Sequence, residues 1–244
     1  MHIGILQAGH APAEVVPARG DFDAMFRALL EGEGLSFTSW DVENMRFPAS
    51  VRDAEGWLVT GSRHGAYEDH PFIPPLEAFI REAVDAGIRV VGICFGHQIV
   101  AQALGGKVAK HPGGWTLGRH EYRMRGGSRL ALNSWHQDQV VALPEGAEVL
   151  GGSEACPYGV LAYGSRAFTI QAHPEFSAEV VGDYVALRRG SGTYPDALME
   201  RAGADAASGA PLDRARAGRA IAAFLREGRA DALLESPEAG ADAR

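Results

Sequence analysis

The sequence predicts an α/β fold in which a doubly wound, mostly parallel sheet is flanked by helices and carries an added antiparallel hairpin region. In the first 104 residues, short β-type runs alternate with helix-compatible segments. These helical connections are long enough to make right-handed crossovers between parallel strands. After Gly105-Gly106 the pattern changes, and short strand-like runs follow one another without helices between them, which indicates hairpins.

The first half of the chain supplies the parallel part of the sheet. An acidic N-cap residue, Asp21, begins the first predicted helix. Ligands of such sheets bind beyond the carboxyl ends of the parallel strands. Strands are predicted over residues 2–7, 36–42, 56–59 and 88–93, and helices over residues 21–31, 74–85 and 98–104.

The second half supplies the hairpins and the terminal helices. Strands are predicted over residues 107–110, 118–124, 129–132, 148–151, 160–163 and 167–171, and helices over residues 178–189 and 211–226, with a loop at 190–195. We expect residues 1–190 to form one domain and residues 191–244 a helical extension packed on it. The last helix could dock on the core, cover the site or meet a partner, and docking is favoured. Beyond Gly228 we expect the alanine-rich end to fray.

Composition narrows the class of protein. The chain has 244 residues, of which 46% are hydrophobic, enough for one large core. No apolar run approaches the roughly 20 residues needed to span a bilayer, and the N-terminal residues predict a strand and not a signal peptide. Two cysteines and a net charge of −8 favour a cytoplasmic location and argue against a nucleic-acid partner. We therefore expect neither a membrane nor a nucleic-acid partner.

Cys94 is the most informative residue, because the predicted strand that ends at residue 93 leads straight into it. Gly92 and Gly96 lie two positions before and after it. This is the pattern of a nucleophile elbow, a strand-to-helix turn so tight that it requires small neighbours. The alternative is a small buried cysteine at a strand end, the common case for an arbitrary cysteine. The pair of glycines favours a nucleophile, whereas Cys156 has no such surroundings.

His173 and Glu175 supply a candidate base and its orienting carboxylate. They follow the predicted strand at 167–171 and flank Pro174. A proline imposes extended geometry on the residue before it, so both side chains can point the same way. A neutral imidazole could take the thiol proton and later protonate a leaving amine, while the carboxylate orients the ring. Alone, this motif also fits a surface turn; together with Cys94 it predicts a triad.

The Gly-Ile-Cys-Phe-Gly-His-Gln segment at 92–98 and the His-Pro-Glu segment at 173–175 resemble the class I (triad) glutamine amidotransferase family. The resemblance covers about residues 1–190 and implies that family's flavodoxin-like fold. It extends to the glutaminase domain of GMP synthase and to stand-alone γ-glutamyl peptidases. It implies that Cys94 attacks the γ-carbonyl of a glutamine-type substrate. A γ-glutamyl thioester and ammonia would form, and water would then release glutamate.

The same resemblance assigns supporting roles near the nucleophile. Residues 58–62 resemble the family's glycine loop, so Gly61 is expected to supply an oxyanion-hole amide, and the amide of Phe95 is the second donor. Residues 133–138 resemble the segment whose backbone holds the α-amino and α-carboxylate groups of the substrate. That segment contributes the substrate-binding candidates Ser134, Trp135 and His136.

Gln98 lies one helical turn after Cys94 and could hydrogen-bond the ligand. Equally, it could cross-link the first turn of its helix. His97 and His136 are expected to be structural or rim histidines, because no acidic or cysteine set at metal spacing surrounds them. We therefore expect no metal and no cofactor.

The loop after Gly61 departs from the family pattern. Many members have a Gly-Gly-Pro or Asn-Gly-Pro type sequence here, but this chain has Ser62 and adds Arg63 and His64. Arg63 or Tyr67 could contact the distal part of a substrate. The favoured alternative is that Arg63 pairs with Glu68 or Asp69 in the loop and only orders it.

Three functions remain open at this point. The sequence contains no phosphate loop of the Gly-x-x-x-x-Gly-Lys type, so a glutaminase would need a separate synthase subunit to use its ammonia. This glutaminase is the first hypothesis. The second is a stand-alone γ-glutamyl peptide or amide hydrolase with the same triad and a larger leaving amine. The third is a non-catalytic binding module on this fold.

Overall fold

The computed structural model describes residues 1–234, and their centre is a nine-stranded sheet. The strands are β1 His2–Gln7, β2 Ser36–Asp41, β3 Gly56–Val59, β4 Arg89–Ile93, β5 Lys107–Lys110, β6 Thr116–Met124, β7 Arg129–His136, β8 Asp138–Ala142, β9 Glu148–Gly152, β10 Val160–Tyr163 and β11 Ala167–Ile170. The helices are α1 Val16–Arg19, α2 Phe22–Leu29, α3 Ile73–Asp85, α4 Phe95–Ala103, α5 Ala178–Arg188, α6 Asp196–Ala207 and α7 Arg214–Glu227.

The sheet has a parallel half and an antiparallel half. Its strand order is β2-β1-β3-β4-β11-β10-β9-β6-β7. The strands from β2 to β11 pair in parallel, and those from β11 to β7 pair antiparallel. Strands β5 and β8 form a separate antiparallel pair. The predicted fold class, a mostly parallel sheet with an added hairpin region, is confirmed.

Strand register brings three chain segments to one edge of the sheet. Val59 at the end of β3 pairs with Gly92 of β4, and Ile93 pairs with Ile170 at the end of β11. All three strands run in the same direction, so the residues that follow them emerge side by side. Residues 60–61, 94 and 171–173 therefore lie close together.

Helices cover both faces of the parallel half. On one face, α2 and α7 bury Phe26 and Phe224 against a cluster that includes Ile5 and Phe168. On the other, helices α3 and α4 pack around Trp57. A third cluster joins α5 and α6 to α2. Among residues 1–234, the helices include none long and apolar enough to cross a membrane.

Several elements differ from those predicted. Strand β7 continues to His136, because its residues pair with β6 over this whole length. Strand β8 follows where no strand was expected, and it pairs with β5. Helix α6 was also not predicted, since its sequence alternates alanines and charges with few apolar residues. It packs on β6, where a Cβ on Gly118 would lie 2.9 Å from Ala202. Helix α4 begins at Phe95, three residues earlier than expected.

Besides α6, helix α7 joins the C-terminal region to the rest of the fold. Asp213 lies just before the helix, and its carboxylate accepts a hydrogen bond from the Ala131 amide at 2.7 Å. The backbone amide of Asp213 donates to the Ala131 carbonyl at 2.8 Å. Residues 231–233 form a 3-10 turn in which Leu233 is fully buried. The rest of the end that we expect to fray, residues 235–244, lies outside the described residues.

Candidate active site

Cys94 lies at a sharp turn between β4 and α4. Its backbone has a φ of 55° and a ψ of −103°, a conformation that is strained for a residue with a side chain. The turn is held on both sides: the amide of Cys94 donates to the Ile170 carbonyl at 2.9 Å, and the amide of Gln98 donates to the Cys94 carbonyl at 3.1 Å. This geometry is typical of a nucleophile elbow.

The two glycines around Cys94 are required by close backbone contacts. A Cβ on Gly92 would lie 2.3 Å from the carbonyl oxygen of Gly96. A Cβ on Gly96 would lie 2.2 Å from the carbonyl oxygen of Val59. Both distances are shorter than any side chain tolerates, so the first turn of α4 packs against the strands only when both positions lack a Cβ.

His173 and Glu175 form a buried pair beside Cys94. The His173 Nδ1 and the Glu175 Oε1 lie 2.6 Å apart, with side chains 4% and 0% exposed. The His173 amide donates to the Asn133 carbonyl at 2.8 Å, and its ring stacks on Phe176 with 4.1 Å between centroids. The Cys94 side chain is the other group that interacts with the ring and influences its pKa. Because Nδ1 is engaged by Glu175, Nε2 is the nitrogen left for the sulfur.

The pKa of His173 indicates the protonation state of its ring in this site. Burial by itself lowers this pKa, because it disfavours the charged ring. Interactions with Cys94 and Glu175 outweigh burial and raise the pKa of His173 to about 10. The site therefore favours an imidazolium at neutral pH, the form of the ring that can protonate a leaving amine.

Gly61 lies next to both Cys94 and His173. A Cβ at this position would lie 3.0 Å from the His173 Cε1 and 3.8 Å from the Cys94 Cβ. The neighbouring Thr60 fixes the loop, since its carbonyl accepts from the Gly96 amide at 3.1 Å and its hydroxyl accepts from the Ala8 amide at 3.0 Å. Phe95 is the first residue of α4, so its amide has no acceptor within its own helix.

Cys94 and His173 line a cavity of about 760 Å³. One side of it is an aromatic wall, which we define as Trp115, Trp135, Tyr184 and Tyr194. Edge-to-face contacts hold this wall together: ring centroids lie 4.6 Å apart for Trp115 and Tyr194 and 5.2 Å apart for Trp135 and Tyr184. Another side is polar and includes Glu43, His64 and Glu68.

The structure brings some of the predicted substrate residues to this cavity. Trp135, His136 and Gln98 line it, and burial lowers the pKa of His136 to about 3, so that its ring is neutral. The Gln98 side chain donates to the Asp138 carbonyl at 2.8 Å and therefore links α4 to β8, not the first turn of its own helix as the alternative had it. Ser134 points elsewhere: its hydroxyl is fully buried and lies 2.8 Å from the Tyr122 hydroxyl. Any contact of Ser134 with a ligand would have to use its backbone.

His97 is a structural histidine, as expected. It is fully buried in α4, and its Nδ1 lies 2.8 Å from the Thr169 hydroxyl. Burial lowers the pKa of His97 to about 3, so it contributes no charge to the site.

Sequence reasoning missed the support from α7. The Arg214 guanidinium donates to the Pro174 carbonyl at 2.9 Å and to the Glu175 carbonyl at 3.1 Å. It therefore fixes the backbone that carries the buried carboxylate. No local signal could have indicated this contact, because Arg214 is one of several arginines in an amphipathic helix.

The loop after Gly61 also differs from expectation. Arg63 does not pair with Glu68 or Asp69; its Nη2 lies 3.5 Å from the Glu43 Oε1, and its side chain is 80% exposed. In the part of the chain that the structure describes, His64, Glu68 and His70 form a group with metal-ligand spacing. This group includes neither His97 nor His136, the histidines on which the expectation of no metal rests.

Comparison with known proteins agrees with this geometry. Residues 51–187 match the family model "Glutamine amidotransferase class-I". A glutamine amidotransferase-like protein of Schizosaccharomyces pombe is 33% identical over 82% of this chain and 90% of its own length. γ-Glutamyl peptidase 4 of Arabidopsis thaliana is 30% identical over 68% of this chain and 72% of its own. A glutamine-hydrolysing GMP synthase of Azoarcus is 33% identical over 57% of this chain but only 29% of its own.

The fold is also found among solved structures. A glutamine amidotransferase of Methylobacillus flagellatus superimposes on this chain with a TM-score of 0.73 and 23% sequence identity. The match covers 93% of this chain and 94% of the other chain. At that identity the likeness shows the fold alone. The family model and the sequence relatives carry the assignment: this chain belongs to the class-I glutamine amidotransferase family.

Proposed function

We propose that this protein hydrolyses the γ-amide bond of a γ-glutamyl compound, with Cys94 as nucleophile, His173 as acid and base, and Glu175 as the group that orients His173. One observation carries the proposal. The chain of contacts from the Glu175 Oε1 through the His173 ring, 2.6 Å away, leads to a cysteine on a strained elbow at the wall of a cavity. A nucleophile, a base and an orienting carboxylate in that order are the elements of a catalytic triad.

The chemistry proceeds in two halves. With its proton held by His173, the Cys94 sulfur attacks the γ-carbonyl carbon, and the C–N bond breaks as His173 protonates the leaving nitrogen. A γ-glutamyl thioester remains. Water then attacks it while His173 takes a proton, and the C–S bond breaks to give a carboxylate and the free cysteine. The amides of Gly61 and Phe95 are proposed to hold the oxyanion, and losing one such donor typically lowers the rate by about 10²–10³-fold.

Glutamine is the first candidate substrate, with ammonia as the leaving group. Trp135 and His136 would then hold the α-amino and α-carboxylate groups through their backbone. A separate synthase subunit would use the ammonia. The match to a glutamine-hydrolysing GMP synthase supports such a partner.

A γ-glutamyl peptide or amide is the second candidate. The size of the cavity favours it, because about 760 Å³ with an aromatic wall is more space than an ammonia leaving group requires. Trp115 and Tyr194 offer apolar surface on which the larger amine would pack. The likeness to a γ-glutamyl peptidase supports the same reading.

A comparison of leaving groups separates the candidates. Ammonia release from glutamine is measured beside amine release from γ-glutamyl dipeptides, for the native protein and for Trp115→Ala. A peptidase shows a higher kcat/KM for dipeptides, and Trp115→Ala lowers that value without affecting glutamine. A glutaminase with a missing partner hydrolyses glutamine only when cell extract is added.

If the protein releases no glutamate from any γ-glutamyl compound, with or without cell extract, the proposal is contradicted. That outcome would leave the third hypothesis, a binding module without catalysis.

A further inference from the structure

Three side chains converge on the loop between β3 and α3, at the rim of the cavity. His64, Glu68 and His70, which we name the rim cluster, place one potential ligand atom each within 4.8 Å of the others. The His70 Nε2 lies 2.8 Å from the Glu68 Oε2, and the His64 Nδ1 lies 4.0 Å from it. Two imidazole nitrogens and a carboxylate oxygen are donors that Zn²⁺ and similar divalent ions prefer.

Glu43 lies behind His64 and contacts the ring nitrogen that does not face Glu68. Its Oε1 lies 2.8 Å from the Nε2 of His64, and its side chain is only 13% exposed. This contact fixes the His64 ring so that Nδ1 faces Glu68. A carboxylate on the outer nitrogen of a histidine is the usual second layer of a metal site, where it orients the ring and raises its basicity.

The loop holds the rim cluster in place before any ligand binds. The Glu68 amide donates to the Gly65 carbonyl at 3.0 Å, and the Ile73 amide donates to the His70 carbonyl at 3.1 Å. The two imidazole rings lie 4.0 Å apart between centroids, and both pack on the buried Phe72. An ion would therefore need only small side-chain shifts to bring three ligand atoms around it.

The rim cluster opens toward the cavity. His64 and Glu68 line the same cavity as Cys94, whereas His70 does not, so an ion held by all three would lie at the edge of this space with a position left for a further ligand. Sites with three protein ligands and an open position bind water or a ligand group there. The exposed Arg63 guanidinium lies 3.5 Å from the same Glu43 Oε1 that contacts His64, so the Glu43 carboxylate offsets its positive charge.

We propose that His64, Glu68 and His70 form a binding site for a divalent transition-metal ion of the Zn²⁺ type, with Glu43 as the orienting residue of His64. The competing explanation is that Glu68 simply bridges two histidines and orders the loop. That explanation predicts no metal affinity. The proposal concerns binding and does not depend on the reaction at Cys94.

The test is a titration of untagged protein with Zn²⁺ against a chromophoric chelator. It uses the Cys94→Ser variant as parent, because a free thiolate would bind Zn²⁺ by itself. We expect one equivalent to bind. Each of His64→Ala, Glu68→Gln and His70→Ala should weaken the affinity by at least about a hundredfold, and Glu43→Ala by roughly 10–100-fold, the range known for second-layer partners. His2→Ala, on a partly exposed histidine that lies outside the cavity lining, is the matched control and should bind like the parent.

A second measurement keeps the test independent of folding. Zn²⁺ should raise the melting temperature of the parent and of His2→Ala, but not of a variant that lacks both rim histidines and has an unchanged circular dichroism spectrum. Equal Zn²⁺ affinity in the parent and the rim variants would overturn the proposal. So would equal losses in His2→Ala, or displacement of Zn²⁺ by an equal concentration of Mg²⁺.

Discussion

The residues of the candidate triad were predictable because each signal is local. Gly92 and Gly96 mark the turn around Cys94, and Pro174 sets the backbone between His173 and Glu175. Arg214 was not predicted, since its role depends on the carbonyls of Pro174 and Glu175, which are distant in the chain. The rim cluster lies within residues 64–70 and was missed because these residues show no metal-ligand motif. Their sequence surroundings, an arginine-rich helix and a polar loop, also occur where no site exists.

Removing either reacting group tests the roles of the triad residues. Cys94→Ser and His173→Ala should each lower kcat by about four orders of magnitude or more, because nucleophile and base act as a unit. Glu175→Gln should retain roughly a hundredfold more activity than His173→Ala, since orienting a base is a smaller task. Steady-state assays on the better γ-glutamyl substrate give these values, and circular dichroism checks folding. Near-native turnover by either of the first two variants would contradict the assignment.

The titration of His173 provides a test without turnover. Its ring NMR signals should change with a midpoint at about pH 10, and Cys94→Ser should move the midpoint down, because an interaction that raises the pKa of His173 is lost. The ring is protonated below the midpoint. As pH rises through it, His173 loses the proton that the leaving amine needs, so kcat should fall. A midpoint near 6.5 in the native protein, the ordinary value, would be inconsistent with the paired site.

At the scale of elements, most strands were predictable and the region from β6 to β8 was the least so. Strands β1, β3, β5 and β10 have the predicted bounds. Strand β8 was missed since residues 133–138 were interpreted as a binding segment; they complete one strand and begin the next. Helix α6 buries only Met199 and Ala202, so its sequence has almost no apolar periodicity to detect.

Glycine substitutions test the packing of the elbow on β3. Gly96→Ala should destabilise the protein by about 1–3 kcal/mol, because its Cβ would clash with backbone that cannot move freely. It should also lower kcat by shifting the start of α4. Gly182→Ala is the matched control: a Cβ there meets nothing within 4 Å in helix α5, so it should stabilise by about 0.5–1 kcal/mol. Urea unfolding measures both, and equal stability of the two variants would refute the packing argument.

For the whole molecule, the C-terminal helices are proposed to belong to the same folding unit as the sheet. Phe224 of α7 packs on Phe168 of β11 with 5.5 Å between ring centroids, and both are fully buried. Phe224→Ala should therefore lower the free energy of unfolding by about 3–5 kcal/mol. Tryptophan fluorescence, from residues outside α7, and far-ultraviolet circular dichroism should give one coincident transition. Two separate transitions would show that the extension folds independently.

The central claim is that Cys94 forms a γ-glutamyl thioester, and covalent trapping tests it most directly. The protein is incubated with a glutamine-like electrophile, and the intact mass and the labelled peptide are determined by mass spectrometry. We predict one adduct per chain on Cys94, lost in Cys94→Ser and retained in Cys156→Ser. Cys156 is buried, and burial raises its pKa to about 12, so it should stay unreacted. An unlabelled Cys94 in protein that still releases glutamate from a γ-glutamyl substrate would contradict the account.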